Sequence, residues 1–156
     1  MSDLLDAAGH LPWGLHDGLL TDLQIDYTAA TAELRVRFMM NSRQTLGRLG
    51  CLRVSGLLFF CIDPPTWRDD DGTPVDGDDE DGLSIDAGRI GDMKSPPAHV
   101  PRVPEGYWIN WIYMMEPNSC LYVCARDATF EWIEDAESEV AGGVLFPGDE
   151  IPDPST

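Results

Sequence analysis

Positive charge is scarce in this sequence. Its 156 residues include 28 acidic and only 10 basic side chains, which gives a formal net charge of −18. A chain of this charge repels the phosphates of nucleic acids and the surfaces of anionic membranes, and it attracts cationic surfaces. The composition therefore argues against a nucleic-acid binder and against a membrane-bound protein.

Long apolar runs are also missing. The longest, Leu57 to Ile62, is far shorter than the roughly 18–20 residues that a membrane-spanning helix needs. The amino-terminal residues Met1 to Asp6 are acidic, where a signal peptide would carry positive charge. We therefore expect a cytoplasmic protein, in which the cysteines stay reduced. They are Cys51, Cys61, Cys120 and Cys124.

The familiar catalytic motifs are absent as well. The sequence has no Gly-x-Ser-x-Gly, no phosphate-binding glycine loop and no dinucleotide fingerprint. Of its three histidines, His16 opens a β element beside Asp17, but adjacent strand residues point to opposite faces. We expect this pair to bond the backbone, as aspartate commonly does in turns. No catalytic residue is predicted, and the chain is expected not to be an enzyme.

Metal-binding patterns fail in the same way. Cys120 and Cys124 are four residues apart, which on a strand separates them by roughly 13–14 Å, too far for one metal ion. An EF-hand alignment that places Gly72 at its glycine position puts Trp67 at the first ligand position. We predict no metal site and no cofactor, and we expect the cysteines to act as small buried apolar residues. Weak cation binding by the acidic residues stays open.

What the sequence does contain is a repeated period of two. From Leu19 to Tyr27 one face would be largely apolar (Leu19, Thr21, Leu23, Ile25 and Tyr27), and the other would be wet (Leu20, Asp22, Gln24 and Asp26). Glu33 to Met40 repeats this alternation, and Thr28 to Ala32 would link the two strands in a hairpin.

Further strands follow along the chain. The expected strands are Cys51–Ile62 with a bend at Gly56 and both faces of Leu57–Ile62 covered, Leu83–Ala87, Tyr107–Met114, Cys120–Arg126 and Ala128–Ile133. Helix is expected only at Ser2–Ala8 and Glu134–Val140. The sequence thus predicts a mainly β, single-domain antiparallel β-sandwich or curved sheet over residues 1–133, with an acidic loop inserted at 69–82. Residues 134–156 would form an acidic, partly disordered tail.

The acidic loop is the most unusual feature. It carries eight acids, Asp69, Asp70, Asp71, Asp76, Asp78, Asp79, Glu80 and Asp81. These residues repel one another and bury almost nothing, so a solvated insertion that keeps the protein soluble is one interpretation. The other is a docking surface for a basic protein partner, where charge speeds encounter and excludes wrong partners.

Two stretches resemble a loose group of small bacterial proteins. Leu15-His16-Asp17-Gly18 leads into a β-hairpin as their His-Asp-Ala or His-Asp-Gly motif does, and Leu121 to Glu131 is similar to their closing strand. Some of these proteins are immunity-type proteins encoded beside polymorphic toxins. The resemblance implies the β fold and suggests no catalytic residue.

Together these features favour an immunity-type inhibitor that binds and occludes a cognate toxin or another basic protein through its acidic surface. Toxin domains that act on nucleic acids tend to have basic clefts, which gives an acidic inhibitor a physical reason to be acidic. Two alternatives remain: a small cation-dependent enzyme that uses the loop carboxylates, and an accessory subunit of a larger assembly.

Overall fold

The computed structural model describes residues 1–40, 47–66, 82–94 and 97–133. In these ranges the chain forms one short α-helix, α1 (Leu4–Ala7), a 3-10 turn at Ile90–Asp92 and eight strands. The strands are β1 (Gly18–Asp26), β2 (Thr31–Phe38), β3 (Arg48–Ser55), β4 (Phe59–Ile62), β5 (Leu83–Arg89), β6 (Trp108–Met114), β7 (Ser119–Ala125) and β8 (Asp127–Trp132). They join in one sheet in the order β4-β7-β6-β5-β1-β2-β3-β8, and all neighbours are antiparallel.

The sheet is folded over on itself. Arg126 alone separates β7 from β8, although the two strands lie near opposite ends of the strand order. A chain that short cannot span a flat sheet, so the half β8-β3-β2-β1 comes to face the half β5-β6-β7-β4. The predicted mainly β antiparallel fold with little helix is confirmed, and of the two expected architectures the single curved sheet is the one found.

Both halves of the sheet line the same apolar core. Inward side chains of β2 and β3 meet those of β5, β6 and β7, and the amino-terminal segment adds its own apolar residues at one open side. The largest fully buried apolar members are Leu4, Leu34, Val36, Phe38, Leu52, Val54, Ile85, Ile112, Leu121 and Val123.

A β-bulge in β1 changes which residues face this core. Leu20 pairs with Val36 but Asp22 pairs with Arg35, so Thr21 is an extra residue in the ladder. Leu20 is therefore only 7% exposed and lies in the core that Leu23 and Ile25 also contact. The expected placement of Leu20 on the wet face was wrong, because an extra residue reverses the alternation of side chains.

The expected strand from Cys51 to Ile62 is interrupted. Gly56 takes φ +62°, a conformation that favours glycine, and it separates β3 from β4. β4 lies at an edge of the sheet and pairs with β7 alone. Both faces of Leu57–Ile62 are partly covered, since Leu57 and Phe60 pack against the core and Phe59 and Cys61 pack against a cluster on the outer face. The expected cover is incomplete at Leu58 and Ile62, which are exposed.

A second apolar cluster lies on the outer face of the β6-β7-β4 part of the sheet. Ile109, Tyr122 and Cys124 are buried there. Val100 and Val103 pack against them from the proline-containing segment, residues 97–107, which forms no strand. The tryptophan-rich strand β6 is thus covered on both faces.

Several expectations lie outside the described residues: the helix at Glu134–Val140, the tail 134–156 and residues 69–81 of the acidic loop. Within the described ranges, no helix is long and apolar enough to cross a membrane.

Candidate functional site

The structure shows where the acidic loop is attached. All eight predicted partner-binding residues fall at positions 67–81, outside the described part of the chain, so their role stays a prediction. The residues on either side, Thr66 and Gly82, are described. Thr66 and Ser84, on the two sides of the loop, both bond the turn between β6 and β7, which runs from Met115 to Asn118.

Four hydrogen bonds fix these two ends. On one side the backbone N–H of Thr66 donates to the carbonyl of Pro117 (2.8 Å). On the other side, Ser84 donates through its N–H (2.7 Å) and its hydroxyl (2.8 Å) to the two carboxylate oxygens of Glu116. The backbone carbonyl of Ser84 also accepts a hydrogen bond from the N–H of Met115 (2.9 Å).

Hydrogen bonds within the turn fix its shape. Asn118 adopts φ +49°, which asparagine tolerates better than most residues, and its N–H donates to the carbonyl of Met115 (3.0 Å). The hydroxyl of Tyr113 donates to Oδ1 of Asn118 (2.7 Å). This hydrogen-bonded turn therefore holds the residues on both sides of the acidic loop at one end of the sheet.

A second polar group surrounds Asp63, which lies between β4 and the loop. Its carboxylate contacts Nε2 of His99 (2.7 Å) and accepts weakly from the hydroxyl of Tyr122 (3.4 Å). Burial, followed by the neighbouring Cys120 and Asp63, raises the pKa of Tyr122, so this phenol stays protonated. These contacts attach the proline-containing segment to β4 and β7.

The thiol of Cys120, which lies beside Asp63 and Tyr122, is a poor nucleophile. Burial raises the pKa of Cys120, against a smaller opposing effect of the Tyr122 hydroxyl, and a nucleophile requires the thiolate form. The arrangement orients an imidazole, but it does not place an activated nucleophile beside it.

His16 and Asp17 are arranged differently from the sequence expectation. They lie in the turn before β1, where Asp17 has φ +60°, and not inside a strand. Their side chains therefore meet, with 3.5 Å between His16 Nε2 and Asp17 Oδ2, and Asp86 of β5 lies 3.4 Å from His16 Nδ1. The argument from opposite strand faces was wrong, because the left-handed residue turns the chain. The three side chains are between 43% and 58% exposed, so these contacts are weak.

The sequence analysis did not predict the hydrogen-bond network around Asn110. Asn110 is fully buried in β6, accepts from the N–H of Leu4 (2.9 Å) and donates to Asp3 Oδ2 (3.1 Å). Arg89 donates to both carboxylate oxygens of Asp3 (2.7 and 3.2 Å). Two signals were available: one amide on an apolar strand face, and the Asp3-x-x-Asp6 spacing of a capping box. The network anchors α1 to β5 and β6.

Five arginines lie between positions 35 and 53, and their contacts differ. Arg53 of β3 contacts Glu33 of β2 and Glu131 of β8. Arg48 lies over the ring of Trp132, 4.0 Å from its centroid. Arg43 lies outside the described residues. Arg53 is therefore paired with two carboxylates, whereas Nε of Arg35 is buried without a hydrogen-bond partner among the described residues.

Across the described ranges, no group of three or more His, Cys, Asp or Glu side chains is placed to hold a metal ion. The cation-binding alternative concerns loop carboxylates that lie outside these ranges, so it stays untested.

The cysteines lead to a reactivity prediction. All four are free; Cys51 and Cys124 are buried, whereas Cys61 and Cys120 are half-buried. Burial raises the pKa of Cys51 and brings that of Cys124 to about 11. We expect a thiol-titrating disulfide reagent at about pH 8 to modify Cys51 and Cys124 over 100-fold more slowly than in urea. Peptide mapping identifies the modified thiols, and fast labelling of Cys124 in the native protein would contradict the core packing.

Comparisons with known proteins add little. No known protein family matches the chain, and no curated protein matches it. A crystal structure of an uncharacterized protein from Neisseria gonorrhoeae is similar over 74% of this chain and 91% of that chain, with 14% identity and a TM-score of 0.40. A likeness of that size carries no argument about function.

Proposed function

We propose that this protein binds a basic protein partner and acts as an immunity-type inhibitor, which occludes a cognate toxin without performing chemistry. The observation that carries the proposal is the anchoring of both ends of the acidic loop on the β6–β7 turn. The sequence between these anchored residues contains the eight acids of positions 69–81. A charged segment attached in this way adds mainly to the rate and selectivity of encounter.

The charge pairing of the described strands supports the same proposal. Arg53 and Arg89, two of the few basic residues, are each engaged by two carboxylates. The net charge of −18 therefore leaves an acidic exterior that favours a cationic partner over nucleic acid or an anionic membrane. The free state of the four cysteines agrees with a reducing compartment such as the cytoplasm.

The test measures association kinetics. Tagged protein is recovered from its native host, a bound partner is identified by mass spectrometry, and the purified pair is studied by surface plasmon resonance at several salt concentrations. The loop variant carries Asp76→Asn, Asp78→Asn, Asp79→Asn and Asp81→Asn. The matched control removes the same charge from the tail through Glu134→Gln, Asp135→Asn, Glu137→Gln and Glu139→Gln.

We expect the loop variant to associate about tenfold more slowly at low salt and to lose most of its salt dependence. The tail variant should change the rate much less. If both variants bind like the wild type, the acidic loop does not recruit the partner. If the partner is a toxin, co-expression should also restore growth, and a partner whose activity is unaffected would contradict inhibition.

A further inference from the structure

The two edge strands of the sheet are treated differently. At the β8 edge, α1 packs against the strand and the N–H of Ser2 donates to Asp127 Oδ1 (2.9 Å). At the other edge, β4 pairs with β7 on one side and with no described strand on the other. Natural proteins normally blunt such an edge with charge, proline or a covering segment.

On the side of β4 that faces away from β7, backbone groups have no partner among the described residues. The N–H of Asp63 donates to the carbonyl of Cys120, and in the same register Cys61 pairs with Tyr122. In an antiparallel ladder the alternate residues point away from the partner strand. Phe60 and Ile62 therefore direct their N–H and C=O groups outward, where no described residue bonds them.

The side chains beside these groups are also open. Leu58 is 46% exposed and Ile62 is 53% exposed. From Leu57 to Ile62 the chain contains no charged residue and no proline. An apolar strand of this kind, with free donors and acceptors, is a template for an added strand.

We propose that the free edge of β4 is a docking site for an extended strand of the basic partner, which adds to the sheet beside Phe60 and Ile62. The proposal rests on the proposed function, because charge selects the occupant. A second copy of this chain would bring two bodies of charge −18 together, whereas a segment that alternates apolar and basic residues gains from the same charge. Backbone bonds would fix the register of the partner, and Ile62 would contact its apolar side chains.

The test measures amide hydrogen exchange in the full chain by NMR spectroscopy. The probe is a capped peptide that alternates lysine and valine. One control peptide replaces each valine with proline, which keeps the charge but prevents strand pairing. A second control replaces each lysine with glutamate.

We expect the lysine-valine peptide to slow exchange at the amides of Phe60 and Ile62 about tenfold or more, whereas neither control peptide does so. If the lysine-valine peptide binds without slowing exchange at these amides, the edge site is overturned while recognition of basic partners stands. If the glutamate peptide protects them equally, the basic occupant and the proposed function are overturned. Protection without peptide, together with a dimer in sedimentation, would assign the edge to a second copy and overturn this proposal.

Two variants separate backbone pairing from side-chain contact. Ile62→Pro removes one outward donor and keeps the bonds to β7, so it should weaken peptide binding about tenfold. Ile62→Thr shortens the apolar side chain but keeps that donor, so it should weaken binding much less. Equal losses in two variants that unfold at similar urea concentrations would contradict pairing through the backbone.

Discussion

Replacing Asp3 with alanine is expected to lower the free energy of unfolding by about 3 kcal/mol. Asp3 is only 6% exposed, and its carboxylate accepts hydrogen bonds from the N–H of Asp6, from Arg89 and from Asn110. Its removal uncaps α1 and leaves the buried amide of Asn110 with only a longer hydrogen bond to the carbonyl of Ile109 (3.3 Å). Urea unfolding followed by circular dichroism measures the loss.

Asp6→Ala is the matched control, because it removes the same charge from the same helix. Asp6 contacts the N–H of Asp3 and Nη2 of Arg89, but its side chain is half exposed, so we expect a loss below about 1 kcal/mol. Equal losses in the two variants would show that the effect comes from charge and not from the buried network.

The same carboxylate should contribute to acid sensitivity. Burial alone would raise the pKa of Asp3, but the hydrogen bonds from Asp6, Arg89 and Asn110 and the charge of Arg89 together lower it from 3.8. A lowered pKa in the folded state adds stability above the unfolded-state value, and this stability is lost as pH falls through the folded-state value. Below about pH 4, Asp3→Asn should therefore lose stability less steeply than the wild type. Parallel curves would contradict this assignment.

Replacing Gly88 with alanine is expected to cost about 2–3 kcal/mol. Gly88 of β5 pairs with Trp111 of β6, whose indole lies across it. A Cβ atom at position 88 would lie 2.5 Å from Cε2 and 2.8 Å from Nε1 of that ring. The tryptophan would have to leave its place in the cluster on the outer face of the sheet.

Gly91→Ala is the control for Gly88→Ala. Gly91 lies in the 3-10 turn that follows β5, and nothing lies within 4 Å of the position of its Cβ, so we expect a change within about 0.5 kcal/mol. In a double-mutant cycle, Trp111→Leu should recover part of the Gly88→Ala cost, because the smaller side chain vacates the space. An additive pair would contradict a steric origin.

The sequence predicted the β fold well because alternation is a local signal. The strands over Glu33–Phe38 and Trp108–Met114 were visible in it, and the structure places both in the antiparallel sheet. The pattern failed at Leu20, where one extra residue shifts the register. Nothing in the composition of β1 marks that position, because the bulge is defined by the pairing of β1 with β2.

The candidate sites divide in a similar way. The acidic loop is a matter of composition and could be found from the sequence, while its anchoring to Glu116 and Pro117 depends on contacts between residues far apart in the chain. The same is true of Asn110, which looked like one polar residue in an apolar strand. Its partners, Asp3 and Leu4, belong to the opposite end of the chain.

The sequence by itself determined that the protein is acidic, mainly β and poor in helix, because charge and side-chain alternation belong to the chain. Only the tertiary structure decided that β4 lies at an edge among the described strands and that residues on both sides of the acidic loop bond one turn. Leu57–Ile62 is apolar enough to be a covered strand. The sequence pattern of an apolar strand is the same whether the strand lies at the edge or in the centre of a sheet. Which neighbours it receives depends on how the whole sheet folds over, and that is a property of long-range pairing.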